Sequence, residues 1–220
     1  MVLCYVTDRH QLNEAASLDE LLPCVACAAA AGVDWIQIRE KDVSARELVD
    51  FTRDAVAAVH REAARSKTRP ARVFVNDRID VALAAGAAGV HLSSASIPAA
   101  EVINWLQGSN ALGTFTVGAS CHGLGETLAA EKAGASYVFF GPVYETPSKL
   151  SFGKPHGVEK LAEVCRSIHI PVLAIGGVTE ANAPACIRAG ASGIAGIRMF
   201  QQATDWATLA ASISRLRALD

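Results

Sequence analysis

Four short phrases punctuate the chain and constrain its fold: Ala31-Gly32-Val33, Ala85-Gly86-Ala87, Ala133-Gly134-Ala135 and Ala189-Gly190-Ala191. Each closes an Ala-rich helical stretch and opens an apolar, strand-like run. Glycine there can take the left-handed conformation that ends a helix. The four recur at intervals of about 50 residues, roughly two strand–helix units each. Such punctuation predicts one architecture repeated along a single domain, residues 1–220.

Strand-like runs fall at Leu3–Thr7, Trp35–Arg39, Val73–Val75, Gly89–Leu92, Thr116–Gly118, Tyr137–Gly141, Pro171–Ile175 and Gly193–Ile197. Helical patterns fall at Leu18–Ala31, Ala45–Arg65, Ile79–Ala85, Ala99–Gln107, Glu126–Ala133, Val158–Ser167, Ala181–Ala189 and Trp206–Leu216. Asp19, Ser44, Asp80 and Thr179 lie near helix starts, where side-chain oxygens cap free N–H groups. Eight strands alternating with eight helices predict an α/β fold, a parallel (β/α)₈ TIM barrel. The competing open sheet wants a glycine-rich fingerprint after its first strand, and Thr7-Asp8-Arg9-His10 is not one. Hydrophobic residues make up 51% and charged residues 19%. That balance suits strands buried on both faces.

A net charge of −2 gives no basic field for nucleic acid. No apolar run reaches membrane-spanning length. Met1 leads straight into Val2–Thr7 without a secretory signal pattern, so the expected location is cytoplasmic. The six cysteines are scattered through apolar segments and are expected to be reduced and buried. Cys24 and Cys27 have CxxC spacing, but nothing completes a zinc site around them. A homo-oligomer is compatible with the sequence, which does not set the oligomeric state.

Barrel enzymes carry their chemistry at the C-terminal strand ends, and polar residues concentrate there. Gln37, Arg39 and Lys41 follow strand two. Arg39 needs an anion: either a neighbouring carboxylate or, with Lys41, a diphosphate. Asn76-Asp77 follows strand three, and Asp77 reads as a Mg²⁺ ligand or as a helix cap. Ser120-Cys121-His122 follows strand five, with His122 either structural or an acid/base. Strand six opens into the longest irregular stretch, with Thr146, Ser148 and Lys149, which reads as a lid or a solvated loop. Gly176-Gly177 after strand seven and Ile197-Arg198 after strand eight stand where barrels frequently bind phosphate.

In order and spacing, these residues resemble the thiamine phosphate synthase family, whose relatives include the thiazole tautomerases. The similarity runs from roughly Tyr5 to Phe200. It rests on Gln37-Ile38-Arg39-Glu40-Lys41, Val75-Asn76-Asp77, Gly89-Val90-His91-Leu92, Ser120-x-His122, the GPVYETPSK loop and Ala174–Val178. The resemblance implies a (β/α)₈ barrel that joins hydroxymethylpyrimidine diphosphate to a thiazole phosphate and releases pyrophosphate. It implies that Gln37, Arg39, Lys41, Asn76 and Lys149 contact the pyrimidine diphosphate, that Asp77 holds Mg²⁺, and that Ser120 lies near the pyrimidine. Thr146, Ser148, Gly177, Ile197 and Arg198 would hold the thiazole phosphate. Arg39, Lys41, Ser120, His122 and Lys149 form the implied catalytic set.

Two positions depart from the synthase pattern. Ser96 stands where the family carries a second Mg²⁺-ligating Asp, and a hydroxyl is a poorer ligand for a hard cation. Arg198 stands where a small Ser is usual. A tautomerase acting on a carboxythiazole phosphate is the alternative, with His122 as acid/base and no need of Mg²⁺. The retained Gln37, Lys41, Asp77 and Lys149 favour the synthase. A non-catalytic protein that binds a phosphorylated ligand is the third reading.

Overall fold

Serine caps set the first two long helices. Ser17 and Glu20 form a reciprocal capping box at the start of α1 (Leu18–Ala31), and Ser44 and Glu47 form another at α2 (Ala45–Ser66). Each box satisfies two N–H groups that the first turn leaves open. The four phrase glycines all have positive φ: 98° at Gly32, 70° at Gly86, 91° at Gly134 and 98° at Gly190. They end α1, α3 (Ile79–Ala85), α5 (Leu124–Lys132) and α7 (Ala183–Arg188) and turn the chain into the next strand.

This computed structural model describes residues 1–109, 113–146, 154–201 and 205–218. The strands are β1 (Val2–Val6), β2 (Trp35–Ile38), β3 (Arg72–Asn76), β4 (Gly89–Leu92), β5 (Thr116–Cys121), β6 (Tyr137–Phe140), β7 (Val172–Ala174) and β8 (Gly193–Gly196). They close in sequence order into a barrel. The remaining helices are α4 (Ala99–Gly108), α6 (Gly157–Ser167), α8 (Arg198–Gln201) and α9 (Trp206–Arg217). The fold is the expected (β/α)₈ barrel.

The chain forms two compact units, Val2–Val90 with Ile197–Ala218, and His91–Gly196. In the first, β1 pairs in parallel with β2 and β2 with β3, with Ile36 opposite Tyr5 and Val73. Helix α9 returns to this unit, where Arg217 donates to the Gly32 carbonyl and to Asp34, both at 2.8 Å. In the second, β5 to β8 pair in parallel, with Val138 opposite Ala119 and Val172. Glu131 accepts from the His169 and Ile170 N–H groups at 2.6 and 3.2 Å, anchoring the turn before β7. Both faces of the strands are buried: the neighbours Ile36 and Gln37 of β2, and Val138 and Phe139 of β6, point to opposite faces and all four are covered. A parallel sheet sheathed by helices requires this.

Several boundaries differ from the sequence expectation. Ser17, not Asp19, caps α1. Asp80 does not cap α3; it pairs with Arg78 at 2.6 Å. Helix α7 begins at Ala183, because Thr179 and Asn182 bond each other across a preceding turn. Strand β5 continues to Cys121, so Ser120 lies inside the strand, where its hydroxyl is held by a buried histidine. The short helix α8 was not expected. Four residues are too few to show a period. Cys4, Cys121 and Cys186 are buried, but Cys24, Cys27 and Cys165 are only partly covered; all six are free thiols.

Candidate active site

In the first unit, a buried carboxylate organises the ends of β1 and β2. Glu40 is 5% exposed and accepts from the Thr7 hydroxyl at 2.7 Å. It also accepts from the Arg9 backbone and guanidinium, at 3.2 and 3.1 Å. The Thr7 oxygen in turn accepts from the Arg39 N–H at 2.9 Å, which locks the strand end that carries Arg39. A buried charge is tolerated only with partners of this kind. Arg9 forks onto Asp42 at 2.6 and 2.5 Å. The Arg9 hydrogen bonds, then His10, hold the Asp42 carboxyl below the usual carboxylate range.

Arg39 is not a buried cation. Its side chain is one-third exposed and lies 3.6 Å from Asp8. Gln201 of α8 brackets the Asp8 backbone, donating to its carbonyl at 3.1 Å and accepting from its N–H at 3.2 Å. Lys41 is exposed beside this network. Gln37 is 3% exposed and donates to Asn76 Oδ1 at 2.9 Å. Asn76 donates to Asp77 Oδ2 at 2.7 Å. The Gln37 carbonyl oxygen, Oε1, is buried with no hydrogen-bond partner, which is costly for a protein alone. Asp77 has φ +61°, an unusual conformation for a side-chain-bearing residue and one that recurs at functional sites. It does not cap α3.

Among the described residues no cluster of three or more His, Cys, Asp or Glu side chains can hold a metal. The single Asp77 carboxylate does not fit a closed protein metal centre. It does fit Mg²⁺, which commonly takes one or two carboxylates and completes its octahedron with substrate phosphates and water. Ser96 accepts from the Ser93 N–H at 3.0 Å, and the two hydroxyls lie 3.2 Å apart, so a local turn engages it.

In the second unit, Ser120 Oγ lies 2.9 Å from His91 Nε2, and His91 Nδ1 lies 3.2 Å from the Tyr137 hydroxyl. A carbonyl only accepts, so the His122 Nδ1–H donates to Gly141 O at 2.5 Å, which in the neutral ring leaves the lone pair on Nε2. Gly176 and Gly177 serve packing against the loop after β6. A Cβ at Gly177 would meet the Glu145 carbonyl at 2.4 Å, and one at Gly176 would meet Pro142 at 2.6 Å. The Gly177 carbonyl accepts from Asn182 at 3.0 Å. Thr146 is buried in that loop. Ser148 and Lys149 lie outside the described residues. In the first unit, Ile197 opens α8, accepting from the N–H groups of Phe200 and Gln201, and Arg198 is half-buried at its start.

The structure thus joins Gln37, Asn76 and Asp77 in one chain, and places Ser120 in a second that the sequence reading did not anticipate. Thr7, Asp8, Arg9 and Gln201 around Arg39, and Tyr137 behind Ser120, were given no part by the sequence, and Glu40 and His91 stood in its motifs without a role. A polar residue within an otherwise apolar strand was the available signal for His91.

A profile described as thiamine monophosphate synthase matches residues 3–200. A Geobacter sulfurreducens protein, provisionally named a thiamine-phosphate synthase, is 47% identical over 193 residues, covering 88% of this chain and 83% of its own length. A thiamine-phosphate synthase of a Roseiflexus species is 39% identical, covering 93% of this chain and 80% of that protein. The solved structure of a Pyrococcus furiosus thiamine phosphate pyrophosphorylase superposes with a TM-score of 0.82 at 29% identity, covering 99% and 96% of the two chains. The site-bearing segments, from the end of β1 to Arg198, fall within the matched region, and the chain belongs to the thiamine monophosphate synthase family.

Proposed function

We propose that this protein is a transferase of thiamine biosynthesis that condenses hydroxymethylpyrimidine diphosphate with thiazole phosphate to give thiamine phosphate and pyrophosphate. The observation that carries the reading, beside family membership, is the buried, partnerless Gln37 Oε1 at the head of the Gln37–Asn76–Asp77 chain. An exocyclic amine donates to such an acceptor and a hydroxyl-poor apolar ligand does not, so an aminopyrimidine satisfies it.

In this reading Arg39, Lys41 and Lys149 take the diphosphate. Arg39 leaves the longer Asp8 contact for phosphate oxygens, which its fork matches better. Asp77 would hold Mg²⁺, which would neutralise charge on the departing diphosphate. The C–O bond to the diphosphate breaks with its electron pair, and the aminopyrimidine stabilises the cation that develops on the methylene carbon. The thiazole nitrogen lone pair then forms the new C–N bond. Thr146, Ser148, Gly177, Ile197 and Arg198 take the thiazole phosphate. No step needs a protein nucleophile, so the residues work by positioning and charge neutralisation. Among the described residues no helix is long and apolar enough to cross a membrane, which is compatible with work in the cytoplasm on small phosphorylated substrates.

The test supplies both substrates and Mg²⁺ and measures pyrophosphate and thiamine phosphate. Equal release of the two is expected; no release at high enzyme concentration overturns the reading. One observation favours a second activity. His122 presents the Nε2 lone pair that a proton-transfer base requires. Metal-independent isomerisation of a carboxythiazole phosphate, lost in His122→Ala, would establish it; no isomerisation would exclude it.

A further inference from the structure

The Gly89-Val90-His91-Leu92 segment has no part in the reaction as described, yet His91 is only 1% exposed and both of its ring nitrogens are engaged. Its ring lies against Phe139 with centroids 4.1 Å apart, which fixes its plane. Tyr137 is also 1% exposed. It lies over Gly118, where its ring fills the space that any side chain there would need. The three polar groups are therefore held by packing, not by a flexible loop.

The direction of the hydrogen bonds follows from relative basicity. A neutral imidazole has one N–H and one lone pair. That lone pair belongs to a base whose conjugate acid has a pKa of about 6.5, whereas a phenol has a pKa of about 10 and its oxygen is a far weaker base. The stronger pairing sends the Tyr137 O–H to His91 Nδ1. Nε2 then carries the hydrogen and donates to Ser120 Oγ. Ser120, having received, has its own hydrogen left to donate.

We propose that His91, oriented by Tyr137, is a positioning residue that fixes Ser120 as a hydrogen-bond donor to a ring nitrogen of the aminopyrimidine. The inference rests on the synthase reading. It selects for an acceptor at that ring position and against a C–H or N–H there. A donor on the ring nitrogen withdraws electron density from the carbon that becomes cationic. Its service is thus orientation and specificity, and it acts on substrate binding more than on the chemical step.

The tautomer is tested on the protein alone, by ¹⁵N NMR of the His91 ring at pH 8. Protonated Nε2 and bare Nδ1 are expected; the reverse overturns the proposal whatever the enzyme turns over. Kinetics then test the consequence. His91→Leu, which fills the ring's space without a donor, should raise KM for the pyrimidine diphosphate about tenfold and change kcat by less than about threefold. His91→Gln, which restores an N–H near the Nε2 position, should recover most of the loss. In a Ser120→Ala background His91→Leu should add less than about twofold; a full tenfold effect there means that His91 does not act through Ser120 and overturns the proposal. If His91→Leu does not fold, Tyr137→Phe keeps the ring packing and should give a mixed His91 tautomer and a smaller rise in KM. A single unchanged tautomer and an unchanged KM overturn the role of Tyr137. Absence of pyrophosphate release by the wild type would instead remove the synthase reading and leave the NMR result standing.

Discussion

At the scale of single residues, the proposed reaction turns on Arg39 and Ser96, where the diphosphate and its metal would be met. Arg39 rests 3.6 Å from Asp8 and is partly solvated, and in the proposed reaction it exchanges that carboxylate for the diphosphate. Arg39→Ala should raise KM for the pyrimidine diphosphate at least tenfold, while Asp8→Asn should change it less and in the opposite sense at low salt; steady-state kinetics at two ionic strengths check both. Ser96 offers a hydroxyl where the family resemblance expects a carboxylate. Ser96→Asp should tighten Mg²⁺-dependent binding of the pyrimidine diphosphate in calorimetry, and unchanged affinity would show that this loop does not serve the metal. Burial pushes the Cys121 thiol up to about 11. Because the folded value lies above the unfolded one, the associated stability is complete below about pH 8.5 and is lost as pH rises towards 11. Cys121→Ala should therefore flatten the fall of Tm between pH 9 and 11, and Cys121 should resist alkylation at pH 8 in the native protein.

At the scale of elements, helices were the most legible part of the chain. The α1 pattern ended at Ala31 in both the sequence and the structure, because an apolar period and a glycine stop agree there. Capping boxes sharpen the starts: Ser17→Ala and Ser44→Ala should each cost about 1 kcal/mol in denaturant unfolding. Strand ends were less legible. The glycine at 118 looked like the close of β5, yet the strand runs on to Cys121. Glycine is required there because the Tyr137 ring occupies the space of its missing side chain. Gly118→Ala should accordingly lower stability by roughly 3 kcal/mol, as overpacking against a buried ring does. Helix α8, with four residues, left no periodic trace and became visible only as a bracket on Asp8.

At the scale of the whole molecule, the repeat of strand, helix and glycine stop was sufficient for the barrel. A chain whose strands are apolar on both faces and alternate with helices has few other ways to bury them. Polar residues at the strand ends could likewise be read in order, because a parallel barrel gathers such ends by topology alone. What the linear order could not supply was pairing. Glu40, adjacent to Arg39 in sequence, proved to be bonded to Thr7 and Arg9, more than thirty positions away. His91 reached Ser120 and Tyr137 from three different strands. Local period and turn chemistry are properties of neighbouring residues, so the sequence by itself determined the elements, the fold class and the list of polar strand-end residues. Which of those residues satisfy one another, and that Gln37 Oε1 is buried without a partner, depends on side chains meeting across strands, and the tertiary structure alone decided it.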